Sequence, residues 1–158
     1  GERLDIRLAT ASDADVSAIA RLVTQLGAEL GGVPPEERPT ADPGVLACTR
    51  RMLALRGSFH GLLAERGGEA AGVLMVNERA ALRAGDLYGK LTEIYVCPDL
   101  RRTGVATALL GAAAALGRER GWSRLEIGAQ ATIDARTAKA LLTAAGFRPC
   151  GPRLCMDL

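Results

Sequence analysis

Leu4, Ile6 and Leu8 alternate with Asp5 and Arg7, the two-residue period of a half-buried strand, so the chain opens with a short β-strand. Ser12 precedes Asp15 by three positions, as in a capping box. Val16, Ile19, Ala20, Leu22, Val23 and Leu26 then recur at helical spacing, which predicts a helix over Asp13 to Glu29. The four prolines between Gly31 and Gly44 deny backbone donors, so that segment reads as an irregular loop. Asp42 caps a second predicted helix, with Pro43 in its first turn and an end near Gly57.

Phe59 to Glu65 and Ala70 to Val76 read as an antiparallel strand pair turning at Gly67-Gly68. The stretch Asn77 to Asp86 has no strand pattern and reads as a connection, and Leu87 to Cys97 follows as a longer strand closed by Pro98. Alanine and leucine dominate Gly104 to Arg120, the strongest helix signal in the chain, with Gly121 as its stop. A strand over Leu125 to Ala129, a helix over Asp134 to Ala145 and a strand pair within Phe147 to Leu158 complete the order βααβββαβαββ.

With 158 residues the chain fits one compact domain, read as residues 1–158. Twenty Lys and Arg against eighteen Asp and Glu leave a charge of only +2, so nothing draws the chain as a whole to nucleic acid or anionic lipid. Any anion site must be local. The cysteines, Cys48, Cys97, Cys150 and Cys155, form no C-x-x-C pair, and the single His60 leaves too few ligands for a zinc site. No metal is expected. Without an apolar run near the roughly 20 residues of a membrane span, the reading is a cytoplasmic protein with free thiols.

The chemistry concentrates in Leu91 to Leu110, where a strand passes through a short basic, glycine-containing turn into a helix. The first turn of a helix presents unsatisfied N–H groups and the positive end of the dipole, which suits an anion. Gly104 lets that anion reach the backbone, and Arg101 and Arg102 add cationic reach. Walker and dinucleotide-binding loops need companion glycines, or a Lys followed by Ser or Thr, that Gly104 lacks.

Arg101-Arg102-Thr103-Gly104-Val105-Ala106 resembles the R/Q-x-x-G-x-G/A acyl-CoA motif of the GNAT superfamily of N-acetyltransferases. Glu93-Ile94-Tyr95-Val96-x-Pro98 resembles the strand that enters that motif, and Ala138 with Gly146-Phe147 resembles the family's later segment. The resemblance covers about the last 70 residues by motif and the rest by element order. It implies a mixed α/β fold, a mostly antiparallel central sheet of about six to seven strands flanked by about four helices. It also implies acetyl-CoA as co-substrate. The amides of Arg101, Arg102, Thr103, Gly104, Val105 and Ala106 would hold the pyrophosphate, Thr107 would add a hydroxyl, and Ile94 and Val96 would pair with the pantetheine arm like an added strand. The strand over Leu125 to Ala129 would splay away to admit it. Two positions depart from the pattern. Ala135 stands where the family often has Asn, and Leu142 where it often has the Tyr that protonates the departing thiolate.

An amine with a reference pKa near 10.4 needs a base at neutral pH, and Glu93 is the candidate, set against its reading as an ordinary strand carboxylate. Tyr88 and Tyr95 read as packing more than as acids, and His60 has no relay partner. Cys97 lacks a paired His, which favours direct transfer in a ternary complex. The resemblance bounds the acceptor amine, small molecule or peptide, by the first two helices and the Gly31 to Gly44 loop, where Glu36, Glu37 and Asp42 are candidates to attract a cation. Monomer and homodimer both stay open. A non-catalytic acyl-CoA-binding regulatory module and a nucleotide-phosphate-binding module remain as alternatives.

Overall fold

The structure is a computed structural model that describes residues 3–128, 135–151, 154, 156 and 157. Strand β1 (Leu4–Leu8) is followed by helices α1 (Asp13–Leu30) and α2 (Pro43–Ala54). Strands β2 (Phe59–Arg66), β3 (Glu69–Ala81) and β4 (Asp86–Val96) form a meander, and α3 (Val105–Arg120), β5 (Leu125–Ile127) and α4 (Ala135–Ala144) complete the order. The sheet runs β1-β2-β3-β4-β5, antiparallel except for the parallel β4–β5 pair.

Local signals place the early elements as expected. The Ser12 hydroxyl accepts from the Asp15 amide at 3.2 Å, and Asp42 accepts from the Val45 amide at 3.0 Å. The Asp15 carboxylate does not complete a capping box on Ser12. It accepts instead from the Thr10 amide at 2.8 Å and from both Arg7 guanidinium nitrogens, at 2.8 and 2.7 Å, tying β1 to the start of α1. That pairing holds the Asp15 carboxyl well below the usual carboxylate range.

Three expectations are corrected. The stretch Asn77 to Ala81, read as a connection, continues β3 and pairs with Asp86 to Lys90. Glu78 is held there by the Arg120 guanidinium at 2.9 Å and the Trp122 indole N–H at 2.6 Å, so contacts from the end of α3 extend a strand that local propensity does not favour. The sheet has five strands among the described residues, fewer than six to seven. Described residues from Phe147 onward form no strand; Leu154 and Met156 are exposed and bury no face against the sheet. Pro152, Arg153, Cys155 and Leu158 lie outside the described residues, as do Ala129 and Asp134 at the expected limits of β5 and α4.

The sheet divides two apolar clusters. On one face Val16, Ile19, Leu22 and Leu26 of α1 and Leu53 of α2 pack against Leu63, Val73, Met75 and Tyr95. On the other, α3 lays Val105, Leu109, Ala113 and Leu116 over Leu62, Leu74, Val76, Leu91, Ile94 and Val96. Trp122, just beyond α3, presses on β4 where only glycine fits: a Cβ at Gly89 would sit 2.6 Å from its ring and 2.9 Å from Leu125. Gly89→Ala is therefore expected to cost about 1–3 kcal/mol of stability, a drop in Tm of roughly 2–4 °C per kcal/mol in thermal melts. An unchanged Tm would mean that Trp122 moves aside freely.

Candidate active site

Strand β4 changes character at Thr92. Leu91 pairs with Val76 and Glu93 with Met75, so Thr92 is the extra residue of a β-bulge. In a regular strand Leu91 and Glu93 share a face. Here Leu91 lies in the α3-side cluster, whereas Glu93 lines a cavity under α1 and α2. The bulge thus turns Glu93 across the sheet, and the Thr92 hydroxyl donates to its carboxylate.

The bulge also marks where β5 leaves. Pairing with β5 covers only Gly89 to Leu91, and among the described residues no strand meets that edge of β4 beyond this point, while β3 stays paired on the other edge to Val96. Cys97 donates its amide to the Ala71 carbonyl of β3 at 2.8 Å. By alternation Tyr95 and Glu93 also aim their backbone groups at β3, which leaves those of Ile94 and Val96 facing the open edge. The side chains of Ile94 and Val96 are both buried, and the Val96 carbonyl already accepts from Arg101 Nε at 3.0 Å.

At the end of β4 a 3-10 turn, Pro98–Leu100, leads to Gly104, the residue before α3. Gly104 has φ +92°, and a Cβ built there would meet nothing within 4 Å. No side chain caps α3, whose first-turn N–H groups have no helical partner. Arg102, Thr103, Gly104 and Thr107 are exposed, while Val105 is buried and Ala106 half-buried against the core. Arg102 also adopts a left-handed φ of 63°. This start of a 16-residue helix carries no side-chain cap, the kind of terminus whose N–H groups suit an anion.

Arg101 behaves differently from the expectation. Its amide closes the turn onto the Pro98 carbonyl at 3.3 Å, its Nε donates to the Val96 carbonyl at 3.0 Å, and its guanidinium bonds both Glu29 oxygens at 2.9 and 3.0 Å. The side chain thus points back to the end of α1, where it and Arg38 both pair with the mostly buried Glu29 carboxylate. Glu29 escaped the sequence reading, since nothing local marks a helix-end glutamate as a partner for residues 66 and 72 positions on. It also accepts from the Tyr95 hydroxyl at 2.9 Å, and burial with that carboxylate pushes the Tyr95 phenol up to about 12. Tyr95 is a packed, occupied donor. Tyr88 lies under the Arg124 guanidinium, 4.2 Å from ring centre to Cζ.

The cavity beside Glu93 has a volume of about 170 Å³. Ile19 and Val23 of α1, Val45 and Met52 of α2, and Phe59 and Met75 of the sheet give it apolar walls. Its α2 residues were not foreseen individually, although the two helices were expected to bound the acceptor. The acidic candidates are elsewhere: Asp42 is the α2 cap, and Glu36 and Glu37 are exposed on a 3-10 turn outside the lining.

Burial pushes the Glu93 carboxyl above its ordinary value, opposed by the Thr92 hydrogen bond. A raised folded-state pKa means that the native protein binds more protons than the unfolded chain, so Glu93 subtracts stability as pH rises from its ordinary value through its raised one. Glu93→Gln should therefore match the wild type in Tm at acid pH and exceed it increasingly towards neutrality. A constant Tm difference across that range would contradict the desolvated carboxylate. Burial likewise raises the Cys97 thiol, which disfavours a thiolate nucleophile. His60, half-buried near Trp122 with its ring 5.9 Å away, is held below its ordinary pKa by burial and stands apart from the Glu93 cavity.

The model of the Acetyltransferase (GNAT) family matches residues 26–147. The chain belongs to the GNAT acetyltransferase family. It is an acyltransferase, and its mostly antiparallel sheet, five-stranded with four α-helices among the described residues, is the GNAT fold. The fold of this GNAT chain is shared by a ribosomal-protein-alanine N-acetyltransferase from Brucella melitensis biovar Abortus 2308, with a TM-score of 0.74, 22% identity and 99% of each chain covered. An aminoglycoside acetyltransferase, HMB0005, from an uncultured soil metagenomic sample superposes with a TM-score of 0.76 and 24% identity over 99% of each chain. The aminoglycoside N-acetyltransferase AAC(6')-Iy, crystallised with CoA, gives 0.75 and 20% over 100% of this GNAT chain and 96% of that one. No curated protein sequence matches significantly. Among the described residues, no helix is long and apolar enough to cross a membrane.

Proposed function

We propose that this GNAT chain moves an acetyl group from acetyl-CoA to a primary amine by direct attack in a ternary complex, with Glu93 as the general base. The observation that carries the reading is the bulge at Thr92: it sets a desolvated carboxylate beside a cavity and, in the same stretch of β4, leaves the Ile94 backbone and the Val96 N–H on the edge that β5 has left. The amides of Arg102 to Ala106 and the Thr107 hydroxyl then hold the pyrophosphate. Arg101 contributes position, fixing the Val96 carbonyl and the turn. The CoA complex of AAC(6')-Iy supports acetyl-CoA as the donor.

In the reaction, Glu93 takes the amine proton directly or through water as the nitrogen bonds to the acetyl carbonyl carbon. Collapse of that adduct breaks the C–S bond and releases the CoA thiolate. A thiol with a reference pKa near 8.5 leaves readily, so Leu142 in place of a tyrosine does not by itself forbid transfer. Leu142 packs with Leu141 and Phe147 against the α3-side core. It is also the observation favouring the second reading, a non-catalytic acyl-CoA-binding module.

Calorimetric titration with CoA, followed by thiol-release assays of acetyl-CoA with an amine panel, tests both. Tight CoA binding, amine-dependent thiol release and intersecting initial-rate patterns are expected. CoA binding with no release for any amine would transfer the assignment to the regulatory module, and parallel rate patterns would replace direct attack with an acyl-enzyme.

A further inference from the structure

Resting on Glu93 as the base, we infer that the acceptor is a small monocationic amine carried on an apolar chain or single ring, not a polycation. The cavity beside Glu93 is walled by Ile19, Val23, Val45, Met52, Phe59 and Met75. Among its described lining residues Glu93 alone carries charge. The Thr49 hydroxyl, which also lines it, already donates to the Val45 carbonyl at 2.7 Å.

One ammonium therefore finds one carboxylate. A second ammonium drawn into the same cavity would meet apolar walls without a partner, which costs far more than it returns, and one left at the open mouth would find no carboxylate among the lining residues. The acidic residues that might have served a polycation are committed or remote, with Asp42 capping α2 and Glu36 and Glu37 exposed on their own turn. Size gives the same answer. At about 170 Å³ the cavity is smaller than the roughly 300–1,000 Å³ typical of sites for drug-sized ligands. Its inner part takes one short chain or one ring and opens to solvent at a rim that includes exposed Cys48 of α2.

The test compares propylamine, butylamine, pentylamine, hexylamine and 2-phenylethylamine with spermidine and an aminoglycoside as acceptors in the thiol-release assay. kcat/KM should rise about fourfold or more with each methylene buried and exceed that of both polycations. Cys48→Trp, which fills the rim from an exposed position, should erase the chain-length trend while CoA affinity, measured by calorimetry, shows the protein folded. A flat alkylamine series, or preference for spermidine or the aminoglycoside, overturns the inference and leaves the transferase reading standing. If no amine is turned over, titration of the same amines into CoA-saturated protein reads the cavity by itself. Affinity that climbs along the series and is lost in Cys48→Trp upholds the apolar site while removing its catalytic role; flat affinity overturns the site.

Discussion

Glu93→Gln is expected to lower kcat/KM by about a hundredfold or more at pH 7, within the 10²–10⁴ range of general-base catalysis, while CoA affinity stays unchanged. Glutamine keeps the size and polarity of the side chain but accepts no proton. The deficit should shrink as pH approaches the amine's own pKa, near 10.4 for a lysine-like acceptor, because free amine then forms without help. Burial raises the Glu93 carboxyl, so the wild-type profile should also fall on the acid side at a pH above the ordinary glutamate range, and Glu93→Gln should lack that limb. Rates measured from pH 5 to 10 for both proteins decide the matter. An equal loss at every pH would assign Glu93 to structure, and another group would have to be sought around the cavity.

The second large effect concerns the helix start. Gly104→Val should weaken CoA binding by about tenfold to a hundredfold, the worth of one or two charge-assisted hydrogen bonds to first-turn amides. The space a side chain would enter is open, so the new atoms project into the anion's place and not into protein. Stability falls as well, because φ +92° strains a β-branched residue by about 1–3 kcal/mol. Gly85→Val separates the two effects. Gly85 lies between β3 and β4 with φ +69° and equally open surroundings, so valine there should cost comparable stability without touching CoA affinity. Equal CoA affinity in wild type and Gly104→Val by calorimetry would remove the helix start from the binding site.

Much of this organisation was legible because it is written locally. Ser12 and Asp42 cap their helices by side-chain bonds spanning three residues, and the apolar spacing of α1 needs no distant partner. The strand–turn–helix unit around Gly104 is likewise short-range, which is why its glycine could be singled out in advance. Arg101 shows where that legibility ends. Its place in the motif is local, but the destination of its guanidinium depends on Glu29, a residue 72 positions away. Asn77 to Ala81 is a strand for the same kind of reason, held by Arg120 and Trp122 arriving from the end of α3.

The chain's residue order alone determined where helices begin and stop, which segments alternate between faces, and that an uncapped helix follows a basic, glycine-containing turn. Tertiary structure alone decided what those pieces do. A single unpaired residue, Thr92, reverses the parity of β4, and whether a strand bulges depends on the register of its partner, here Met75 and Val76. That one register choice sends Glu93 to the cavity side and coincides with the point where β5 departs. Local propensities carry no record of it, because the pairing that decides it joins residues brought together only by the folded sheet.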